Sequence, residues 1–129
     1  MIMQSLYEIL QPAQTEEEVK NIFAKFFHLK LDTKNFIDLY TPQILFEFKF
    51  DENLKNIQVL SKCFAQTLYY VRRLKFGRDI RKPSENICVV SKNFAAIATT
   101  KNFYKFYSNN NFDWDLAPSS PCKKLVVSI

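Results

Sequence analysis

The segment Ile44–Phe50, with the sequence ILFEFKF, most constrains the fold because it sets an acid and a base among large apolar residues. Side chains alternate between the two faces of a β-strand. Residues 44, 46, 48 and 50 therefore share one entirely apolar face, and Leu45, Glu47 and Lys49 share the other. We expect a strand that buries its phenylalanines and presents Glu47 and Lys49 together.

The composition indicates one folded domain spanning residues 1–129. The chain is 47% hydrophobic and has 13 Phe, which is enough apolar surface for a core and argues against disorder. Its single glycine excludes glycine-rich phosphate loops, which need several glycines at fixed offsets. The net charge of +5 is compatible with a nucleic-acid partner but does not require one.

The three cysteines, Cys63, Cys88 and Cys122, are far apart and form no C-x-x-C pair. A zinc site or a disulfide framework is therefore not expected, and a reducing cytoplasm is the simpler setting. We expect the cysteines to be small buried hydrophobes and His28 to be structural. The sequence has no apolar run of membrane-spanning length and no apparent signal peptide, so no membrane partner is expected.

Hydrophobic periodicity and turn residues predict an α/β domain in which helices flank a mixed sheet. Thr15 is the expected N-cap of a helix at 16–28, and Glu18 completes a capping box. The other predicted helices are at 2–10, about 53–75 and, as a short turn, 101–107. The predicted strands are Phe36–Tyr40, Ile44–Phe50, Asn86–Ser91, Phe94–Thr99 and Lys124–Ile129.

The long helix predicted at about 53–75 has two faces with different expected roles. Its apolar stripe contains Ile57, Leu60, Phe64, Leu68 and Val71. Gln66 and Tyr70, which are four residues apart, share the opposite face, so we expect them to lie outside the core. A basic cluster follows that could neutralise DNA phosphates; its residues are Arg72, Arg73, Lys75, Arg78, Arg81 and Lys82.

Asp38, Glu47 and Lys49 have the chemistry needed to hydrolyse a phosphodiester. Mg²⁺ takes oxygen ligands, usually one or two carboxylates together with waters and phosphate oxygens, and Asp38 and Glu47 would supply the carboxylates. Lys49 could orient the attacking water and stabilise the charge that builds on the phosphate. On a helical wheel Glu16 falls at the edge of the apolar face of its helix, so it is the candidate for binding a second metal.

Asp38, eight intervening residues and then Glu47-x-Lys49 resemble the signature of the PD-(D/E)XK nucleases, although Ile37 stands where proline is usual. Gln66-Thr67-Leu68-Tyr69-Tyr70 resembles the Q-x-x-x-Y motif of the RecB-like branch of that superfamily. The acidic segment 15–19 resembles the start of the leading helix in several restriction subunits. The matching elements also follow one another in the order of that family.

The resemblance implies a restriction endonuclease-like core and a Mg²⁺-dependent deoxyribonuclease, with Mn²⁺ as an alternative ion. Asp38, Glu47, Lys49 and Glu16 would be catalytic, with Asp38 and Glu47 as metal ligands. Gln66 and Tyr70 would contact substrate or steady the metal site, and Arg72 and Arg73 of the basic cluster would also contact substrate. The chain resembles the N-terminal cleavage module of a larger restriction–modification enzyme, so we expect DNA, further domains and a homodimer on DNA as partners.

Several alternatives stay open at this level. Glu47 and Lys49 could form a surface ion pair, and Glu16 could be only an acid at a helix start. Gln66 and Tyr70 could be solvated residues, and the basic cluster could be a solvated helix end. As functions, a RecB-like repair exonuclease and a non-cutting DNA-binding module that retains the nuclease fold are the alternatives to a restriction endonuclease.

Overall fold

A four-stranded sheet with helices on both faces organises the computed structural model, which describes residues 5–30, 39–77 and 82–129. The strands in these ranges are β1 (Leu39–Tyr40), β2 (Ile44–Phe48), β3 (Asn86–Val90) and β4 (Ala95–Thr99). The helices there are α1 (Leu6–Leu10), α2 (Glu16–Phe26), α3 (Ile57–Phe76), α4 (Tyr104–Tyr107) and α5 (Lys123–Ser128), and a 3-10 turn covers Thr100–Phe103. None of these helices combines the length and the apolar character that crossing a membrane requires.

The sheet is mixed, as the sequence predicts, and its strands lie in the order β1-β2-β3-β4. β2 is antiparallel to β1 and parallel to β3, and β3 is antiparallel to β4. Two parallel neighbours need a long crossover connection, and α3 supplies it between β2 and β3. The predicted combination of a mixed sheet and flanking helices is thereby confirmed.

The alternation predicted for β2 is confirmed, and both faces of the strand are buried. Phe46 and Phe48 pack on one side against Phe23 of α2, at ring-centroid distances of 5.1 and 5.2 Å. Leu45 points to the other side and joins the core that the sheet forms with α3. β2 is therefore a central strand between two helical layers.

The predicted cap of α2 is present, with one difference in detail. Thr15 Oγ1 accepts a hydrogen bond from the backbone N–H of Glu18 at 3.1 Å. The Glu18 carboxylate reaches back to the N–H of Gln14 at 2.6 Å, one residue before the position that a capping box uses. These side chains satisfy backbone donors that would otherwise lack a partner at the helix start.

α2 ends in a Schellman motif, in which the backbone needs a left-handed residue. The N–H of Leu29 donates to the carbonyl of Ala24 at 2.8 Å, and the N–H of His28 donates to that of Lys25 at 3.3 Å. His28 occupies the left-handed position with φ of 55°. This backbone position explains why the chain can turn there and supports the structural role expected of His28.

The long helix α3 begins later than the predicted residue 53 because Asn56 caps it. Asn56 Oδ1 accepts from the N–H of Gln58 at 2.9 Å. The helix ends at Gly77, whose N–H donates to the carbonyl of Arg73 at 2.8 Å. A Cβ atom at Gly77 would collide with that carbonyl oxygen, so the only glycine of the chain allows a close backbone approach.

The predicted strand Lys124–Ile129 is wrong, because this segment forms helix α5 instead. Its β-branched residues suggested a strand, but Leu125 is fully buried in the core cluster formed with α3. Packing against a neighbour has therefore outweighed the local preference. Of the predicted segments 2–10 and 36–40, residues 2–4 and 36–38 lie outside the described ranges.

Replacement of His28 by glycine should stabilise the protein. A non-glycine residue in the left-handed region is strained by about 1–2 kcal/mol, and the extra freedom of glycine in the unfolded chain offsets part of the gain. We expect the free energy of unfolding, measured with urea, to rise by about 0.5–1 kcal/mol. His28→Ala keeps the strain and should show no such gain; equal stability of the two variants would contradict this account.

Candidate functional site

Glu47 and Lys49 lie on the side of the sheet that faces α3, and both are buried. Only 4% of Glu47 and 9% of Lys49 is exposed. The backbone N–H of Lys49 donates to the carbonyl of Val90 at 2.7 Å, which extends the pairing of β2 with β3 by one residue. The alternative of a surface ion pair is therefore wrong, since a buried charge is costly without partners.

The ammonium group of Lys49 has two partners, one from the strand and one from the helix. Its Nζ lies 3.4 Å from Glu47 Oε1 and 2.6 Å from Gln66 Oε1. An ammonium group only donates hydrogen bonds, so the short contact identifies the amide oxygen of Gln66 as the acceptor. Glu47, Lys49 and Gln66 thus form one buried polar cluster, which we call the Lys49 cluster.

The expectation that Gln66 and Tyr70 lie on a solvated face outside the core is wrong. Each is only 9% exposed, and Tyr70 belongs to the core cluster between the sheet and α3. By contrast Ile57, which was assigned to the apolar stripe, is 77% exposed. The middle of α3 is buried on every side. The hydrophobic pattern of its sequence therefore does not separate a buried face from a solvent-exposed face.

The C-terminal segment buries the side of α3 that faces away from the sheet. The hydroxyl group of Tyr69 donates to the carbonyl of Asp113 at 2.7 Å and accepts from the N–H of Cys122 at 2.9 Å. Leu125 of α5 is fully buried in the same core cluster. The helix is therefore held between the sheet and residues 107–125, and this places Gln66 beside Lys49.

A cavity of about 310 Å³ adjoins the Lys49 cluster. Lys49 and Gln66 line it together with other residues, which are Glu52, Val59, Lys62, Cys63 and Ser119. Glu52 and Ser119 were not predicted as site residues from the sequence. Lys62 carried a usable signal, because it precedes Gln66 by four residues on the helix. Ser119 carried none, since it reaches the cavity from the C-terminal segment.

Cys63 lines this cavity, but its thiol is poorly suited to nucleophilic or metal-binding chemistry near neutral pH. Burial raises its pKa from 9.0 to about 11, and the positive charge of Lys49 opposes that shift only in part. The thiolate is the nucleophile and the metal ligand, so a neutral thiol is inert in both roles. The cavity therefore offers oxygen and nitrogen groups at pH 7.

Asp38 lies outside the described residues, so its predicted place beside Glu47 stays a prediction. Within residues 5–30, 39–77 and 82–129, no three His, Cys, Asp or Glu side chains come together as a metal-binding group. Glu47 is the buried carboxylate of this part of the chain. A metal ion shared by Asp38 and Glu47 is thus a prediction from the sequence. The structure describes only the position of Glu47.

Glu16 is exposed at the start of α2 and does not join the Lys49 cluster. α2 packs on the Phe46 and Phe48 side of the sheet, across the strand from α3. We find no hydrogen bond or ion pair between Glu16 and the cluster in the part of the chain that is described. Its metal role stays a prediction, and the acidic first turn is sufficient reason for its presence.

The two arginines predicted to contact DNA differ in their surroundings. Arg72 donates to the carbonyl of Tyr107 at 2.8 Å and to Asn110 Oδ1 at 2.7 Å, and its guanidinium lies 4.9 Å from the Trp114 ring centroid. Arg73 is exposed and lies 5.7 Å from the ring centroid of Tyr70. Arg72 therefore has a structural role, and the DNA contacts of both residues stay predictions. Arg78 and Arg81 lie outside the described ranges.

Comparison with known proteins gives no match, whether to family models, to curated proteins or to solved structures. The resemblance to PD-(D/E)XK nucleases therefore rests on the motif residues.

Removing the acceptor from Lys49 should destabilise the fold. Gln66→Met keeps the length of the side chain but leaves the buried ammonium with fewer partners. We expect the free energy of unfolding in urea to fall by about 1.5–3 kcal/mol, the range for a hydrogen bond to a charged group. The matched control is Gln58→Met in the first, exposed turn of α3, and an equal effect of both substitutions would contradict the role of Gln66.

The three thiols should react at clearly different rates. Cys63 and Cys88 are buried, and burial raises the pKa of each thiol to about 11. Cys122 is half-buried, and backbone hydrogen bonds lower the pKa of its thiol; the bond with Asp113 has the largest effect. At pH 8 a thiol with pKa near 11 is ionised about once in a thousand. An aromatic disulfide reagent should modify Cys122 rapidly. The slow reactions of Cys63 and Cys88 should accelerate as the pH rises. A rapid phase that survives in Cys122→Ala would refute this assignment.

Proposed function

We propose that the protein hydrolyses DNA phosphodiester bonds with a divalent cation, using the Lys49 cluster as part of its active site. The observation that carries the proposal is the 2.6 Å contact between Lys49 Nζ and Gln66 Oε1. The two residues belong to separate motifs, Glu47-x-Lys49 on a strand and Gln66-x-x-x-Tyr70 on a helix. Their meeting in a buried cluster beside a cavity supports a common role.

The order of the elements also supports the proposal at the level of the fold. An antiparallel pair, β1 and β2, is followed by α3 and by β3 parallel to β2. This order is the one that the resemblance implies for a restriction endonuclease-like core. We therefore propose that finer fold class for the domain.

Lys49 would stabilise the negative charge that develops on the phosphate during attack by water. Its ammonium group is already held by Gln66, so little reorganisation is needed when charge develops. Gln66 acts as a positioning residue, since it fixes the ammonium without touching the reacting atoms. Tyr70 lies one helical turn further along and is expected to support this arrangement.

The residues present suit a hard cation such as Mg²⁺. Mg²⁺ usually takes one or two protein carboxylates and keeps several waters. Glu47 provides one carboxylate, and the proposal assigns the second to Asp38 on sequence grounds. The neutral thiol of Cys63 leaves oxygen ligands as the relevant donors at the cavity. When bound, the ion would polarise the phosphate and lower the pKa of a bound water.

The proposed partners are DNA and the further domains of a larger restriction–modification protein, with a homodimer on DNA for double-strand cutting. The net charge of +5 supports a polyanionic partner. The three free cysteines support a reducing setting, and we propose the cytoplasm. A RecB-like exonuclease is the second candidate, favoured by the contact of Gln66 with Lys49.

Cleavage of supercoiled plasmid with Mg²⁺ or Mn²⁺ tests the proposal. The Lys49→Met and Glu47→Gln variants preserve side-chain volume and should lose at least about 100-fold in rate, the usual cost of removing one transition-state contact. Asp38→Asn should behave likewise. Lys124→Ala, on the exposed face of α5, is the control with unchanged rate. Each variant should first show cooperative unfolding, so that a loss of rate is not a loss of fold.

Three outcomes would decide against parts of the proposal. No metal-dependent cleavage by the wild type would leave the non-cutting DNA-binding module as the better function. Cleavage by Lys49→Met at the wild-type rate would refute this site even if the protein cuts DNA. Digestion of linear DNA from its ends, with circular plasmid left intact, would favour the RecB-like exonuclease.

A further inference from the structure

A second and larger cavity, of about 880 Å³, lies at the other end of the sheet. It is found where β3 begins, where β4 ends and beside the last turn of α3. The polar residues of its lining include Lys75, Lys82, Glu85, Thr100, Lys101 and Tyr107. From Asn86 to Val90 the parallel strands advance about 13 Å, so this cavity is separate from the Lys49 cluster.

The charge of this sheet-end cavity is predominantly positive. Lys75, Lys82 and Lys101 line it, and each is exposed and makes no ion pair with the described residues. Glu85 is the one carboxylate among the described residues of the lining. Three ammonium groups against a single carboxylate give a local excess of charge that an anion would neutralise.

Thr100 provides an independent indication of a missing ligand. The residue is only 4% exposed, and its Oγ1 is the buried side-chain polar atom without a hydrogen-bond partner in the described part of the chain. The backbone N–H of Thr100 donates to the carbonyl of Glu85 at 2.9 Å, which joins two residues of the lining. Buried hydroxyl groups normally have a partner, and an orphaned one calls for an explanation.

Tyr107 adds a second hydroxyl group to the lining. Its side chain is buried, and burial raises its pKa above 10.0, so the phenol stays protonated. The lining therefore combines hydroxyl and ammonium groups, all of which can donate hydrogen bonds. A ligand that carries several acceptor oxygens and more than one negative charge would match it, and a phosphate group has both properties.

We propose that the sheet-end cavity is a phosphate-binding site, with Lys101 and Thr100 among its ligands. The phosphate could come from a DNA backbone or from free phosphate; the chemistry of recognition is the same. No bond is broken there, so the site goes beyond the proposed hydrolysis at the Lys49 cluster. It can therefore be tested by binding alone, in the presence of EDTA, where no metal-dependent cleavage occurs.

Two binding experiments distinguish these sources. Calorimetry measures the affinity for inorganic phosphate, and a second titration measures the affinity for a short DNA duplex at several salt concentrations. The variants are Thr100→Val, which is close in shape but lacks the hydroxyl, and Lys101→Ala; Lys124→Ala is the control. If free phosphate is the ligand, both variants should lose about tenfold in phosphate affinity. If a DNA phosphate is the ligand, Lys101→Ala should reduce the slope of log affinity against log salt by about 0.9.

Thr100→Val separates ligand binding from a structural role. Removing an unpartnered buried hydroxyl should raise the melting temperature of the free protein while it weakens phosphate or DNA binding. Opposite signs in the two measurements support the site, whichever titration responds. Unchanged affinity and salt slope in both variants, relative to Lys124→Ala, would overturn it, and cleavage of plasmid by the Lys49 cluster would be unaffected by that result.

Discussion

The buried ammonium group of Lys49 is the constraint on which the rest of the structure depends. A cation that is 9% exposed cannot be left without acceptors, and the protein supplies Glu47 Oε1 at 3.4 Å and Gln66 Oε1 at 2.6 Å. Because one acceptor is on β2 and the other on α3, the contact fixes how the helix sits on the sheet. Removing one partner of such a buried pair leaves the other charge uncompensated, so Glu47 and Lys49 depend on each other for their burial.

The position of Gln66 in turn depends on the C-terminal segment. α3 is enclosed between the sheet and residues 107–125, through the hydroxyl group of Tyr69 and the guanidinium group of Arg72. The same enclosure brings Ser119 to the cavity beside the Lys49 cluster. The two cavities lie towards opposite ends of α3, with the smaller one beside Lys49 and the larger one beside Leu74 and Lys75.

Local signals in the sequence predicted the parts of the fold that local chemistry decides. The cap at Thr15, the alternation along β2 and the mixed sheet are confirmed, because each depends on neighbouring residues or on a simple period. The helix α5 and the burial of Gln66 were missed together. Both depend on packing between α3 and a segment about fifty residues further along, which no periodicity encodes. The same packing brings Gln66 to Lys49, so their contact could be suspected only from motif resemblance.

The central claim, that the Lys49 cluster is half of a metal-dependent catalytic site, is tested most directly by anomalous diffraction from crystals soaked in Mn²⁺. The account predicts an anomalous peak within bonding distance, about 2 Å, of a Glu47 carboxylate oxygen, and its loss in Glu47→Gln. A peak that persists in Glu47→Gln, or manganese bound only at sites remote from Lys49 and Gln66, would contradict it.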